Sequence, residues 1–573
     1  MNKLTYSIIV SILFAGNMGC SDFLDTNPTE AIPDASAVES VTALRSVLEQ
    51  TYKHILNYDV DYAWSGLIGY QMGTDLRGTD LMSFNNVSAW TYFDWYQNMD
   101  NLTAAAGVGT YTPGPHRMWN YFYNIIRQTN TVIANIDEAR GTDNALRNAV
   151  KGEAMALRAY SYFYLAQAYQ QTYKGNENLK SVILHTVPFI DPFDVANHLP
   201  RASTQEVYDL VRSDLNTAIG LLPAATGALG NRVSYRVNKN IAQAMLAKVS
   251  LVTNEWSIAE SMAHAARDGF GLMTAADYLK GFVLNPLTGD ANNPEWMWYV
   301  PQTSRLSLGG SSPSAGWGNR NRELLGSVDM VMVSYDLMDL YEPYDIRFSQ
   351  FWERADRPNP ALEAAYDGAE VTADGKSIYY WTSNKHSEFF IGSFEYAGKR
   401  KVNPFYTGTT PSAEQIYTTY SNATPDDRTY RGQLHIFRAA EMWLIEAEAM
   451  ARQGNDAGAL ALLNELRAKR TGDPTKPMAI DPSVTGNDLI EEILLERRRE
   501  LYAEGSFLFD RLRTKRGITR GPDHLIKYDE PAGSYRFIFQ IPRAEFIYNT
   551  ALSISNDQNP LSGTDIPSNM IKN

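Results

Sequence analysis

From Arg117 to Arg140 apolar residues recur at helical spacing, with Trp119, Phe122, Ile125, Ile126, Val132, Ile133 and Ile136 on one side. An amphipathic helix is predicted there. A longer helical run from Asn144 to Tyr173 interleaves Ala154, Ala156, Ala159, Ala166 and Ala168 with Tyr160, Tyr162, Phe163 and Tyr164. Small residues of this kind let a neighbouring helix approach closely while rings fill the gaps. A second pair is predicted from Thr204 to Leu222 and from Asn238 to Val252, and a third from Phe437 to Gln453 and from Asp456 to Lys469.

The third pair fits the roughly 34-residue period of a tetratricopeptide repeat. In all three pairs small and large apolar residues alternate across a polar connection, which favours tetratricopeptide-like helix hairpins over a plain helical bundle. The earlier pairs exceed the period and would be stretched or decorated repeats. The expected fold is therefore mostly α, a hairpin scaffold. Between about Asp277 and Gln433 the pattern gives way to Pro, Gly, Ser, Asn and Tyr with only short helical or strand-like runs. This predicts a loop-rich insertion at 277–433, and loops on a rigid scaffold commonly carry binding groups. The segment from Asp59 to Pro115 has the same character and is richer in rings.

The N-terminus adds a targeting signal. Asn2 and Lys3 precede an apolar run from Ile8 to Ala15, and the chain turns small at Gly16 and Gly19 before Cys20. That is the pattern of a signal peptide over 1–19, too short for the roughly 20 apolar residues that span a bilayer. Cys20 is the only cysteine, so no disulfide can form within one chain. Its position resembles a bacterial lipobox, in which the thiol is acylated, although Asn17 stands where Leu is usual. The expected mature protein starts at Cys20 and is held in a membrane by acyl chains such as palmitate, each buried methylene contributing about 0.8 kcal/mol. Residues 20–573 are expected to form one domain, with Ser21-Asp22-Phe23-Leu24-Asp25 as a tether.

Charge excludes one class of partner. A formal net charge of -14 over 573 residues leaves no Lys/Arg surplus for a phosphate backbone. The densest basic stretch, Arg511, Arg513, Lys515, Arg516 and Arg520, with Arg497, Arg498 and Arg499 between Glu496 and Glu500, is expected to be a solvated or salt-bridged surface.

Catalytic signatures are missing. No GxSxG elbow, P-loop or dinucleotide-binding glycine pattern occurs, and none of the eight histidines is paired at i, i+4 with a Glu beside it, so neither a cofactor nor a zinc site is expected. A glycosidase carboxylate pair leaves no sequence signature of its own, because its separation is set by the fold.

Rings are the positive signal. Aromatics make up 12% of the chain, including 34 Tyr and 11 Trp, and many must be partly exposed. Trp90-Thr91-Tyr92-Phe93-Asp94-Trp95-Tyr96 concentrates them, with Asp75, Arg77, Asp80, Asn85 and Asn86 shortly upstream. Flat rings stack on the apolar face of a sugar while carboxylates, amides and Arg hydrogen-bond its hydroxyls. Trp90, Tyr92, Trp95, Asp75, Arg77, Asp80 and Asn85 are thus candidate ligand-binding residues, the alternative being rings that serve as core beneath a loop. Trp317, flanked by Gly316 and Gly318, is a further candidate because no apolar periodicity claims it. Trp296 and Trp298 alternate like a strand and are expected in the core.

At Arg438-Ala439-Ala440-Glu441-Met442-Trp443-Leu444-Ile445-Glu446-Ala447-Glu448-Ala449 the chain resembles the signature helix of the SusD/RagB family of Bacteroidetes surface lipoproteins. Further motifs agree in order across 434–573: Ala459 to Arg467, Glu496 to Gly505, Phe509 to Arg513, Ile541-Pro542, Glu545, Asn549 and Gln558-Asn559-Pro560. With Cys20, Leu24 and Pro28 the resemblance covers essentially the whole chain. It implies a tetratricopeptide-like scaffold at the outer membrane and a seat over a SusC-like TonB-dependent transporter. It also implies capture of an oligomer for import, with no catalysis. Trp317 falls roughly where the starch-binding member has a stacking Trp. Some members resembling RagB deliver peptides, so the expected ligand is an oligosaccharide with a peptide as the alternative. The charges at Arg438, Glu441, Glu496 and Glu500 are expected to tie hairpins together rather than touch ligand.

Overall fold

The computed structural model describes residues 38–56, 113–188, 198–226, 234–278, 293–300, 337, 340–342, 344–350, 434–476, 478–502, 504–519 and 529–560. At the strands 86–91, 329–333, 351–358, 379–383, 393–396 and 399–402 it describes the backbone alone.

Helices dominate and pack as neighbours in sequence. After α1 (Val41–Leu56), α2 (Pro113–Asn135) packs against α3 (Asn144–Tyr169), α4 (Thr204–Leu221) against α5 (Lys239–Thr253), and α7 (Ala439–Arg452) against α8 (Asp456–Ala468). These are the three expected hairpins. They are joined into a continuous stack because α3 also packs on α4, and α6 (Trp256–Arg267) lies between α5 and α7. Two more helices, α9 (Gly486–Glu500) and α10 (Phe507–Arg513), close the C-terminal side, α9 lying on α7.

Local chemistry sets the ends. Asp143 caps α3 by accepting from Leu146 N at 2.9 Å, and Ser203 and Glu206 form a reciprocal capping box on α4. Asn254 stops α5 in the left-handed conformation at φ 62°, which Asn tolerates better than most residues. The first helix of the stack starts and ends earlier than its periodicity suggests, at 113 and 135. Pro113 suits a first helical position. Beyond Asn135 the Arg147 guanidinium binds the carbonyls of Ile136, Asp137, Ala139 and Gly141 and so fastens the turn that leads into α3.

Among the described residues burial produces a main core from Val41 to Leu552, with Ala154, Ala156, Ala159, Ala242, Ala244 and Ala247 all fully buried where helices cross, and a small second cluster of Met273, Tyr278, Trp296 and Ile346. Gly152 on α3 sits against α4 so closely that a Cβ there would come within 2.8 Å of Leu222 Cγ. Trp296 and Trp298 are core, as expected, at 0% and 1% exposure. Trp298 donates to Tyr235 O at 3.0 Å and meets Tyr160 and Phe437 edge-on.

The insertion carries paired strands. Among the described residues its first strand, β4 (Trp296–Val300), pairs antiparallel with β10 (Leu434–Arg438), which directly follows the insertion, so its two ends are brought together at the start of α7. Between them lie β5 (Asp329–Val333), the pair β6 (Phe351–Pro358) and β7 (Tyr379–Ser383), and the pair β8 (Ser393–Tyr396) and β9 (Lys399–Val402).

Candidate ligand-binding face

The strand β1 (Asn86–Thr91) comes from the ring-rich N-terminal segment, and its antiparallel partner is β5 of the insertion. The two segments singled out for loops and rings therefore meet in one sheet, through strands more than two hundred residues apart in the chain. Trp90 is the one candidate residue on this pair: its backbone stands opposite Met330, next to a bulge between Ser88 and Trp90. A bulge re-aims the side chains that follow it. Tyr92, Trp95, Asp75, Arg77, Asp80, Asn85, Trp317 and the lipidation candidate Cys20 lie outside the described residues.

Next to this pair lies a second ring-rich one that was not a sequence candidate. β7 contacts β5, and its Tyr379, Tyr380 and Trp381 are set against Pro358, Arg354 and Glu353 of β6, with Trp352 opposite Thr382. The run Tyr379-Tyr380-Trp381 is the signal that could have marked it. β6 in turn contacts β8, where Glu395 stands opposite Arg400 of β9.

The roots of the insertion reach the scaffold through buried charge. Arg438, at the end of β10, donates to Glu295 at 2.9 Å, to Glu500 at 2.6 Å and to Glu504 at 2.8 Å. Arg470 bridges Glu295 and Glu500 at 2.6 and 2.9 Å, and Arg347 reaches Asp345, Glu496 and Glu500. Burial by itself raises a carboxyl. Here Arg347, Arg499 and Arg467 outweigh it and hold Glu496 down at about 2, while Arg470, Arg438 and Arg347 hold Glu500 well below the usual range. Ion pairs this deeply buried are maintained only when nearly every oxygen has a partner.

The basic stretch expected as surface is corrected in part. Arg497, Arg498 and Arg513 are buried at 3%, 8% and 8% exposure, and Arg497 and Arg513 are paired with Asp510 and Glu448. Lys515 is exposed, and Arg499, Arg511 and Arg516 are half-buried, Arg516 beside Glu491; Arg520 lies outside the described residues. The reason is that α7 presents Glu441 and Glu448, and α10 its own Asp510, to the arginines of α9 and α10, which are satisfied from inside. Arg438 does tie elements together as expected, joining the insertion to α9, and Glu441 holds Lys248 of α5 at 2.6 Å.

A cavity of about 30 Å³ between α3, α5, α7, α9 and α10, lined among others by Lys248, Glu441, Arg497 and Asp510, has room for one water and none for a sugar ring. Among the described residues no group of three or more His, Cys, Asp or Glu is arranged to hold a metal. No described helix is long and apolar enough to cross a membrane.

Comparison with known proteins agrees with this architecture. Residues 22–251 match a family described as starch-binding and associating with outer membrane, and residues 332–550 match the SusD family. Together the two stretches take in well over half of the chain, which belongs to the SusD family. A SusD-like protein from Formosa agariphila is 27% identical over 411 residues, covering 70% of this chain and 72% of its own. Among solved structures, a SusD-like carbohydrate-binding protein from Bacteroides vulgatus superposes with a TM-score of 0.68 at 23% identity, covering 91% of this chain and 99% of its own. A laminarin-binding SusD-like protein superposes with a TM-score of 0.57 at 20% identity, covering 91% and 99%.

Proposed function

We propose that the chain captures an oligosaccharide at the outer surface of the cell and hands it to a SusC-like TonB-dependent transporter. The observation that carries this reading is the pairing of β1 with β5, with the ring-rich β6–β7 pair beside it. Adjacent ring-bearing strands on a rigid helical scaffold suit a ligand with flat apolar faces and many hydroxyls. Relatives that bind carbohydrate, laminarin in one case, support the same ligand class. In this reading Cys20 carries the lipid anchor, residues 20–573 act as a single domain, and Trp90, Tyr92, Trp95 and Trp317 supply stacking faces. Asp75, Arg77, Asp80 and Asn85 supply hydroxyl partners, and no bond of the ligand is broken.

The test is affinity electrophoresis and calorimetry of the protein lacking residues 1–20 against a panel of plant, microbial and host polysaccharides. It is repeated with Trp90→Ala, Trp95→Ala and Trp317→Ala. Binding to one glycan, lost on removing a ring, is the expected result. Silence across the panel with binding to mixed peptides overturns it in favour of peptide capture, and released reducing ends overturn the absence of catalysis.

A further inference from the structure

The three ties between insertion and scaffold are not equivalent. Glu295 and Arg438 flank its two ends, whereas Arg347 sits in the middle, in a short 3-10 turn over Ile346–Gln350 that runs directly into β6. The turn is fastened from several sides. Ile346 N donates to Arg470 O at 2.9 Å, Gly472 N donates to Tyr344 O at 3.0 Å, and Tyr341 Oη donates to Arg499 O at 2.8 Å. Arg347 itself is fully buried. Its Nη1 donates to Glu496 at 2.5 Å and Glu500 at 2.9 Å on α9, and its Nη2 to Asp345 at 2.7 Å on the turn.

Removing Arg347 would not strip α9 of its partners. Glu496 retains Arg467 and Arg499, each within 2.9 Å, and Glu500 retains Arg438 and Arg470. Asp345 has less in reserve: among the described residues the Arg347 guanidinium makes every ion pair of its side chain, and without it only the backbone N–H of residue 347, at 2.9 Å from Oδ1, remains. The loss therefore falls on the turn and on the strand it feeds. From β6 the path is short: β6 pairs with β7, β7 contacts β5, and β5 pairs with β1, which carries Trp90.

We propose that Arg347 is a positioning residue for the ligand-binding face: a guanidinium that reaches no ligand sets where β6–β7 and the β1–β5 pair stand relative to the helices. The affinity consequence rests on the proposed glycan reading; the positioning itself does not. A binding face assembled from separate strands loses affinity when its support loosens, even with every contacting group in place.

The experiment is hydrogen exchange on the full chain, purified from membranes in detergent without ligand, comparing the natural protein with Arg347→Met, followed by glycan affinity of both. Expected are exchange at least about tenfold faster at 346–358 and 379–383, unchanged exchange in α2 to α5, and affinity weakened about tenfold or more. Unchanged exchange in these strands overturns the proposal, and so does faster exchange spread evenly over the helices, which would mark Arg347 as a general stabiliser. If the natural protein binds no glycan while the local exchange response is present, the positioning role stands and the ligand class fails. Asp345→Asn weakens the same grip from the turn's side and serves if Arg347→Met does not fold, with the same local response required.

Discussion

Trp119 on α2 donates its indole N–H to Oε1 of Glu545 at 2.9 Å, joining the first hairpin to a segment 426 residues further along the chain. Trp119 is buried, packed edge-on against Tyr169, which in turn meets Phe539. The C-terminal motif is thus held against α2 and α3.

The carboxylate in this contact is costly. Burial raises the Glu545 carboxyl, and the Trp119 hydrogen bond only partly reverses it. A raised folded-state pKa means that stability is greatest below the unfolded value near 4.5 and declines as pH rises through the folded value. Glu545→Gln keeps an acceptor for Trp119 and removes the charge. It should stabilise the protein at pH 7, with the difference vanishing near pH 4. Urea midpoints of both proteins at the two pH values check this; a variant less stable at pH 7 would mean that the charge is compensated.

Acid denaturation should be governed by the opposite kind of carboxylate. Glu496 falls from an ordinary 4.5 to about 2 despite burial, and Glu500, Glu448 and Asp510 shift in the same direction under their arginines. A lowered folded-state pKa contributes stability that is complete above the unfolded value and lost as pH falls through the folded one. Glu496 alone amounts to roughly 3 kcal/mol by linkage. Stability should therefore fall steeply between about pH 4.5 and 2. A pH series of denaturant midpoints would show this, and a decline already complete at pH 5 would contradict it.

How much of this could be read from the chain depends on sequence distance. The hairpins α2–α3, α4–α5 and α7–α8 were legible because each buries a stripe repeated at helical period, and their predicted ends differ from the observed ones by a few residues. The helices α1 and α6 went unread, although Leu44, Leu48, Tyr52 and Ile55, and Ala259, Ala263 and Ala266, are buried at the same spacing. What the pattern could not supply was pairing. That β1 would find β5 rather than a near neighbour, or that Arg347 would meet Glu496 across 149 positions, is set by the folded stack and not by any local period. The burial of Arg497 and Arg513 escaped for the same reason: a basic run looks solvated until the carboxylates opposite it are known.

Arg158 and Asp214 give a second measurable pair. Nε and Nη2 of Arg158 grip the two oxygens of Asp214 at 2.7 and 2.8 Å, joining α3 to α4 with both side chains buried. Asp214→Ala strands the guanidinium, which among the described residues keeps only Asn130 Oδ1 at 2.8 Å and a long contact to Thr186 O. A loss of about 3–5 kcal/mol is expected. Replacing both, Arg158→Met with Asp214→Leu, should recover most of it, because no charge then lacks a partner. Thermal unfolding of the single and double variants decides; a double variant as unstable as the single would locate the loss in packing instead.

Gly152 sets two effects of opposite sign against each other. In a helix interior, Gly→Ala normally stabilises by about 0.5–1 kcal/mol, because Ala has less backbone freedom to lose on folding. A Cβ at Gly152, however, would lie 2.8 Å from Leu222 Cγ and 3.3 Å from Leu221 Cβ, where α3 meets the end of α4. Cγ is a branch point near the Leu222 backbone, and Leu222 is itself in the core, so it cannot swing clear without moving its neighbours. Overpacking of this kind typically costs about 1–3 kcal/mol. Gly152→Ala should therefore be destabilising by roughly 1 kcal/mol net, read as a lower denaturant midpoint with an unchanged slope. Pairing it with Leu222→Ala should relieve the clash and make the effect of the Gly152 substitution neutral or favourable. An unrelieved loss in that background would mean that α3 and α4 approach each other through contacts other than this one.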